Sequence, residues 1–202
     1  MQSGIVSLDG TVKVFAVKAD AEKKARKVKS VVAVRDEIQV GGPAVPDQVL
    51  QSKLLGRIQS DRVGYGTTAF NAISVNVENG IVTLGGTAYG PVDKGSAIGE
   101  ATYTAGVKGV VDNIQVDPVS MFDDRIRIAT ARAVYGYPSL NKYAMDPAKP
   151  IRIVVQNGNV TLVGVVINQM DKDVAGLRAN GVSGVFKVTN DLQVANQQSE
   201  RN

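Results

Sequence analysis

Apolar and polar residues alternate along this chain in the short runs that strands need. Ile73–Val77 and Ile151–Val155 each lead into an Asn-Gly pair, at 79–80 and 157–158. Asn-Gly suits the two positive-φ positions of a type I′ turn, so each run opens a two-strand hairpin. After the first turn, Val82, Leu84 and Gly86 alternate with Ile81, Thr83 and Gly85, as the two faces of a strand do. A helical period follows the hairpin position: Ala21, Ala25 and Val28 fall at i, i+4 and i+7. Small alanines there predict close approach of helix to sheet. Val34, Ile38 and Val40 then share one face of a last strand. A further helix precedes each hairpin. Leu50, Leu54 and Ile58 share a face behind Asp47 as cap, with Pro46 just outside. Asp123 or Asp124 is the expected cap of a helix through Ile126, Ala129 and Ala133.

The pattern repeats. Gly4-Ile-Val-Ser-Leu-Asp-Gly10, Gly80-Ile-Val-Thr-Leu-Gly-Gly86 and Gly158-Asn-Val-Thr-Leu-Val-Gly164 are spaced by 76 and then 78 residues. The same offsets align Lys18, Lys94 and Lys172. They align Ala21, Ala97 and Ala175, then Ala25, Ala101 and Ala179. The closing strands align as well, at Asp36, Asp112 and Asn190. No gap is needed from the turn glycine to the last valine. Each full repeat reads as an α-β-β-α-β module in two layers. The expected organisation is a truncated β-α-β module over 1–41, complete modules over 46–117 and 121–195, and a polar tail over 196–202. The linkers Gly41–Val45 and Asp117–Ser120 carry glycine and proline.

Composition narrows the function classes. The chain has 202 residues, 44% of them apolar but 5% aromatic and none Trp, so cores of Val, Ile, Leu and Ala are expected. With neither Cys nor His, a disulfide scaffold, a thiolate nucleophile and the usual zinc ligands are unavailable. The commonest general base is missing too. No run of 18 apolar residues occurs, and Met1–Gly4 has neither region of a signal peptide, so none is read. The net charge of +4 leans toward anionic partners without the signature of a nucleic-acid binder.

The pattern Asn157-Gly158-x-Val160-Thr161-Leu162-x-Gly164, a Lys-Ala helix, and then Gly184-Val185 through Val194 resembles the BON domain, named for bacterial osmotically induced and nodulation proteins. The last copy is most similar, to envelope members in which Asp123-Asp124-Arg125-Ile126-Arg127 opens the module and Met170-Asp171-Lys172 its second helix. The resemblance implies an α+β fold, each module a three-stranded mixed sheet backed by two helices. It implies a periplasmic or secreted setting, a link to osmotic or envelope stress, and no catalysis. Members bind anionic phospholipid, assist folding of exported proteins, or bind ions beside a peptidoglycan-binding module. This chain departs from that pattern in its half first module and in showing neither a signal sequence nor a peptidoglycan module.

Gly4, Gly10, Gly80, Gly86, Gly158 and Gly164 read as turn and close-approach positions, because no phosphate-loop spacing contains them. Lys18, Lys23, Lys24, Arg26, Lys27 and Lys29 crowd one helix against Asp20 and Glu22. Such a face can hold anionic headgroups at about 1 kcal/mol per cation, or be a solvated helix end favoured by the dipole. The middle copy has no such cluster. Tyr135, Tyr137, Tyr143, Met145 and Pro147 form a loop behind Arg125, Arg127 and Arg132. It reads either as an interfacial membrane patch or as a lid packed on a small core. Asp36, Asp112 and Asn190 share strand parity with buried valines, as a repeated site or as local backbone acceptors. Carboxylate pairs such as Asp123-Asp124, or Asp171 with Asp173, lack a nucleophile and base. No cofactor is implied. The expected partners are an anionic membrane surface or envelope proteins. The rival expectation is a self-assembling or chaperone-like protein using the open Ile5–Val12 edge.

Overall fold

The computed structural model describes residues 4–42, 44–146 and 149–195; Pro147 and the 196–202 tail lie outside them. The first repeat consists of β1 (Ile5–Leu8), β2 (Thr11–Val12), α1 (Phe15–Arg26), β3 (Ala33–Asp36) and β4 (Gln39–Val40). The second runs α2 (Asp47–Asp61), a short 3-10 turn at Thr68–Phe70, β5 (Ala72–Glu78), β6 (Ile81–Ala88), α3 (Pro91–Thr102), β7 (Gly109–Asp112) and β8 (Gln115–Val116). The third runs α4 (Met121–Tyr135), a one-turn α5 (Lys142–Met145), β9 (Arg152–Gln156), β10 (Asn159–Val166), α6 (Gln169–Asn180) and β11 (Lys187–Val194). The architecture is mixed α+β, with small mixed sheets.

Strand register repeats with the sequence. β1 runs parallel to β3 with Ile5 opposite Ala33, β6 parallel to β7 with Ile81 opposite Gly109, and β10 parallel to β11 with Asn159 opposite Lys187. β9 closes the third sheet antiparallel to β10, and β5 lies beside β6. Both hairpins turn through positive-φ pairs, Asn79 (54°) with Gly80 (78°) and Asn157 (50°) with Gly158 (75°), as a type I′ turn requires. Gly86 and Gly164 sit inside strands instead of at turns. A Cβ on Gly86 would stand 2.1 Å from the Ala72 carbonyl oxygen, so the hairpin closes on bare backbone there.

The last strand breaks in the first two repeats and is continuous in the third. Asp36 Oδ1 accepts from Ile38 N at 3.0 Å, two residues on. The carbonyl freed by the break is taken by a lysine: Lys18 Nζ donates to Ile38 O at 2.6 Å, and Lys94 Nζ to Ile114 O at 2.8 Å. In the third repeat Asn190 Nδ2 donates to the Lys172 backbone oxygen instead, and β11 runs unbroken.

The chain folds into two compact units, Met1–Arg57 with Val75–Leu84 and Ser96–Asn113, and Ile58–Ser74 with Gly85–Gly95 and Ile114–Asn202. In the first, Leu50, Leu54, Val82, Leu84, Ala97, Ala101 and Val107 are buried. In the second, Ile126, Val134, Ile153, Val155, Val160, Leu162, Ala175, Ala179 and Leu192 form one cluster. The first repeat is different. Among residues 4–42 only Ile38 is buried. The expected core face of this helix is therefore open: Ala21 and Ala25 are half-buried, and Val28, expected on the same face, falls past the end of α1 and is 52% exposed. The physical reason is that no helix or strand precedes β1 among the described residues, so that face lacks its covering layer.

Candidate functional site

Two carboxylate clips hold each full module. Asp47 opens α2, and its carboxylate accepts from the backbone N–H groups of Asn79 (2.6 Å) and Gly80 (2.9 Å). Asp123 does the same for Asn157 (3.0 Å) and Gly158 (2.8 Å). Asp123 and Asp124 thus do not cap α4. Its cap is Ser120, whose Oγ accepts from Asp123 N at 3.1 Å. The aspartate is free to reach across because the cap is already filled.

The second clip is a buried carboxylate at the start of the second helix. Asp93 Oδ1 accepts from Arg62 Nε (3.1 Å), Thr67 Oγ1 (2.6 Å) and Asn71 Nδ2 (3.0 Å). The equivalent Asp171 accepts from Tyr143 OH (2.6 Å) and pairs with Lys142 Nζ (2.7 Å). Each draws in the loop that precedes its hairpin. Burial alone raises Asp171, but the hydrogen bonds from Lys142 and Tyr143 outweigh it and hold the carboxyl below the usual carboxylate range. Burial, with Asp171 beside it, pushes the Tyr143 hydroxyl up to about 12. Asp173 stands apart, exposed, accepting from Gln169. The first repeat has Val17 at this position.

Within the second unit, Arg127 is 2% exposed. Its Nη2 donates to Asp117 Oδ2 (2.9 Å) and Val155 O (3.0 Å), and its Nη1 pairs with Asp124. The guanidinium lies 4.9 Å from the Tyr89 ring centroid and 5.9 Å from that of Phe70. Arg152 Nη1 donates to Thr68 O (2.6 Å) and Asn71 O (2.8 Å). These two arginines tie residues of the second repeat to the third. Burial pushes Asp117 up despite its bonds from Gln156 and Arg127.

The tyrosine loop divides by residue. Tyr135 donates to the Ile151 carbonyl and burial pushes its hydroxyl up. Tyr143 is buried, and its hydroxyl also accepts from Ile167 N. Tyr137 is exposed beneath Arg178, 5.4 Å from its ring centroid. Met145 is exposed. Arg125 and Arg132 face solvent, whereas Arg127 does not.

On α1 and in the turn after it the cations divide as well. Lys18 is committed to Ile38 O and lies 3.6 Å from Asp36. Lys24 pairs with Asp20 (2.7 Å) and Arg26 with Glu22 (2.6 Å). Lys23, Lys27 and Lys29 are exposed with no ion pair among the described residues. No group of three metal-ligating side chains occurs among the described residues.

The residues missed by sequence reading are Asp93, Asp117 and Arg152, and the turn-clipping role of Asp47 and Asp123. A signal existed for the clips: Asp47 and Asp123 stand 76 apart, and Asp93 and Asp171 stand 78 apart.

The BON domain pattern matches residues 1–42, 46–118 and 139–196. The chain belongs to the BON-domain family. The BON domain is a non-catalytic binding domain, and its family is associated with envelope or osmotic stress and with phospholipid binding. No curated protein shows significant similarity to the chain. Two solved structures of CdsD, a structural protein of the type III secretion system of Chlamydia trachomatis, are similar to it at 15% identity and a TM-score of 0.29. One, its C-terminal domain, covers 95% of this chain and 85% of its own; the other covers 98% and 84%.

Proposed function

We propose that this tandem BON protein is a non-catalytic binding protein of the bacterial envelope that contacts anionic phospholipid through the outward face of α1. The observation that carries this reading is the set of exposed lysines, Lys23 on a helix with no buried residue, Lys27 at its C-terminal cap and Lys29 in the turn that follows. Exposed cations at a helix end attract an anionic surface at about 1 kcal/mol each, screened by salt. Arg125, Arg132 and Tyr137 are exposed in the second unit and are further candidates. Arg127 and Tyr135 support that unit from inside. Co-sedimentation with phosphatidylglycerol and phosphatidylcholine vesicles at low salt tests it. Binding to the former alone, lost in Lys23→Glu/Lys27→Glu, is expected. Equal binding to both lipids, or to neither, refutes it.

A second reading is an interaction protein of the envelope that pairs through the Ile5–Val12 edge. Among the described residues β1 pairs with one strand, β3, and β2 with one, β4. An unpaired edge is a template for another chain. Light scattering on the full chain, beside one starting at Pro46, tests it. The edge reading fails if the first repeat changes neither mass nor binding of any partner.

A further inference from the structure

We infer that Asn180 is the chain's site of spontaneous deamidation, and that the carboxylates of Asp47 and Asp123 shield the two Asn-Gly hairpin turns from the same reaction. Asn-Gly occurs three times, at 79–80, 157–158 and 180–181. The chemistry is intramolecular. The backbone nitrogen of the glycine gives up its proton and attacks the side-chain carbonyl carbon of the asparagine. A new C–N bond closes a cyclic succinimide, the Cγ–Nδ2 bond breaks, and the side-chain nitrogen leaves with that proton as ammonia. Water then opens the ring to aspartate or isoaspartate, so one water enters for each ammonia lost. Glycine favours the step because no side chain obstructs ring closure. Asn79, Asn157 and Asn180 are all exposed, so access to the side chain does not separate them. The state of the attacking nitrogen does.

In both hairpins that nitrogen is occupied. Gly80 N donates to Asp47 Oδ1 at 2.9 Å, and Gly158 N to Asp123 Oδ1 at 2.8 Å. The other oxygen of each carboxylate takes the N–H of the preceding asparagine, at 2.6 and 3.0 Å, so each turn is held at two points. A hydrogen bond to an ionised acceptor is stronger than one to a neutral carbonyl. A carboxylate beside an N–H also opposes its ionisation, because the nitrogen anion would face a like charge. Gly80 and Gly158 are themselves buried. Asn180 has none of this cover. It is the last residue of α6, and Gly181 is exposed. Gly181 N donates to the neutral Leu177 carbonyl at 3.1 Å, a bond in the last turn, where helices fray. Between the two hairpins, Asp123 is 4% exposed and Asp47 only half-buried. The order of reaction is therefore Asn180, then Asn79, then Asn157. Reaction at 180 places a carboxylate at the C-terminal end of α6, which the helix dipole disfavours, at the head of the turn that enters β11.

The test is peptide mapping by mass spectrometry on the full chain, sampled over time at mildly alkaline pH, both folded and in urea. Each folded rate is divided by the rate of the same site in urea, where only local sequence acts. On that scale Asn180 is expected to react at least about tenfold faster than Asn79 or Asn157, the size of one hydrogen bond to a charged acceptor. Asp47→Ala should speed Asn79 at least about tenfold. It should leave Asn157 and Asn180 as they were, with the amides of Val82 and Leu84 still slow to exchange. If those amides lose protection as well, Asp47→Asn is read in its place. It keeps one acceptor oxygen without the charge, and Asn79 should still gain at least about threefold. Equal relative rates at the three sites, a hairpin asparagine ahead of Asn180, or an Asn79 rate that neither variant raises overturns the inference.

Discussion

Replacing Arg127 by Met breaks a buried ion pair in the second unit, that with Asp117. The substitution keeps most of the side-chain volume, so the cavity contribution is small. It leaves the Asp117 carboxylate, also buried, with Gln156 Nε2 at 2.7 Å as its bonded side chain. Removing one member of a buried ion pair costs about 3–5 kcal/mol, because the other charge stays behind without its counter-charge. Loss of the stacking on Tyr89 adds about 0.5–1 kcal/mol. Asp117→Asn in the same chain removes the orphaned charge, so the double variant should recover at least about 2 kcal/mol of the loss. Urea unfolding followed by tyrosine fluorescence reads this, since the chain has six Tyr and no Trp. The pH dependence has a definite sign. Asp117 is raised above its ordinary value when folded, so ionising it opposes folding. That penalty is absent below the ordinary carboxylate range and complete once pH exceeds the raised value. Without Arg127 the penalty grows, so Arg127→Met should hurt more at pH 7 than at pH 4. A single-variant loss under about 1 kcal/mol, or a double variant no more stable than the single, would refute the argument.

Two further outcomes are expected. Tyr143→Phe should cost about 1–3 kcal/mol, since it removes the donor to a charged acceptor. Because Asp171 is lowered when folded, its stabilising contribution is present above the ordinary carboxylate value and is lost as pH falls through the lowered one. The Tyr143→Phe deficit should then shrink below that range; a deficit constant from pH 7 to pH 2 in urea titrations counts against the clip. Gly86→Ala should destabilise by more than about 3 kcal/mol, through the 2.1 Å clash with the Ala72 carbonyl oxygen and a φ of 82°. Gly10→Ala, with nothing within 4 Å, should cost about 1–2 kcal/mol of backbone strain; equal thermal shifts would contradict that ranking.

The fold was legible to a large degree. Asn79-Gly80 and Asn157-Gly158 marked both hairpins, because few residue pairs take two positive φ angles in succession. Leu50, Leu54 and Ile58 marked a helix face that is buried in full. The local bond made by Asp36 was among the readings available, since an acceptor two residues from a free N–H needs no distant partner. The candidate site was less legible. Arg127 and Arg125 are both cations near the start of one helix, and nothing local separates the buried one from the exposed one.

What this sequence determined alone was everything that depends on residues a few positions apart: turns, helix faces, strand alternation, and the repeat that superimposes three registers. Tertiary structure alone decided where charges go. Asp47, Asp93, Asp123 and Asp171 became clips because folding brings backbone amides and loop side chains to them from 22 to 35 residues away. It also decided that Val17 on α1, and Val28 just past its end, stay exposed. Periodicity states which face of a helix is apolar, but burial needs a second surface to exclude water from it.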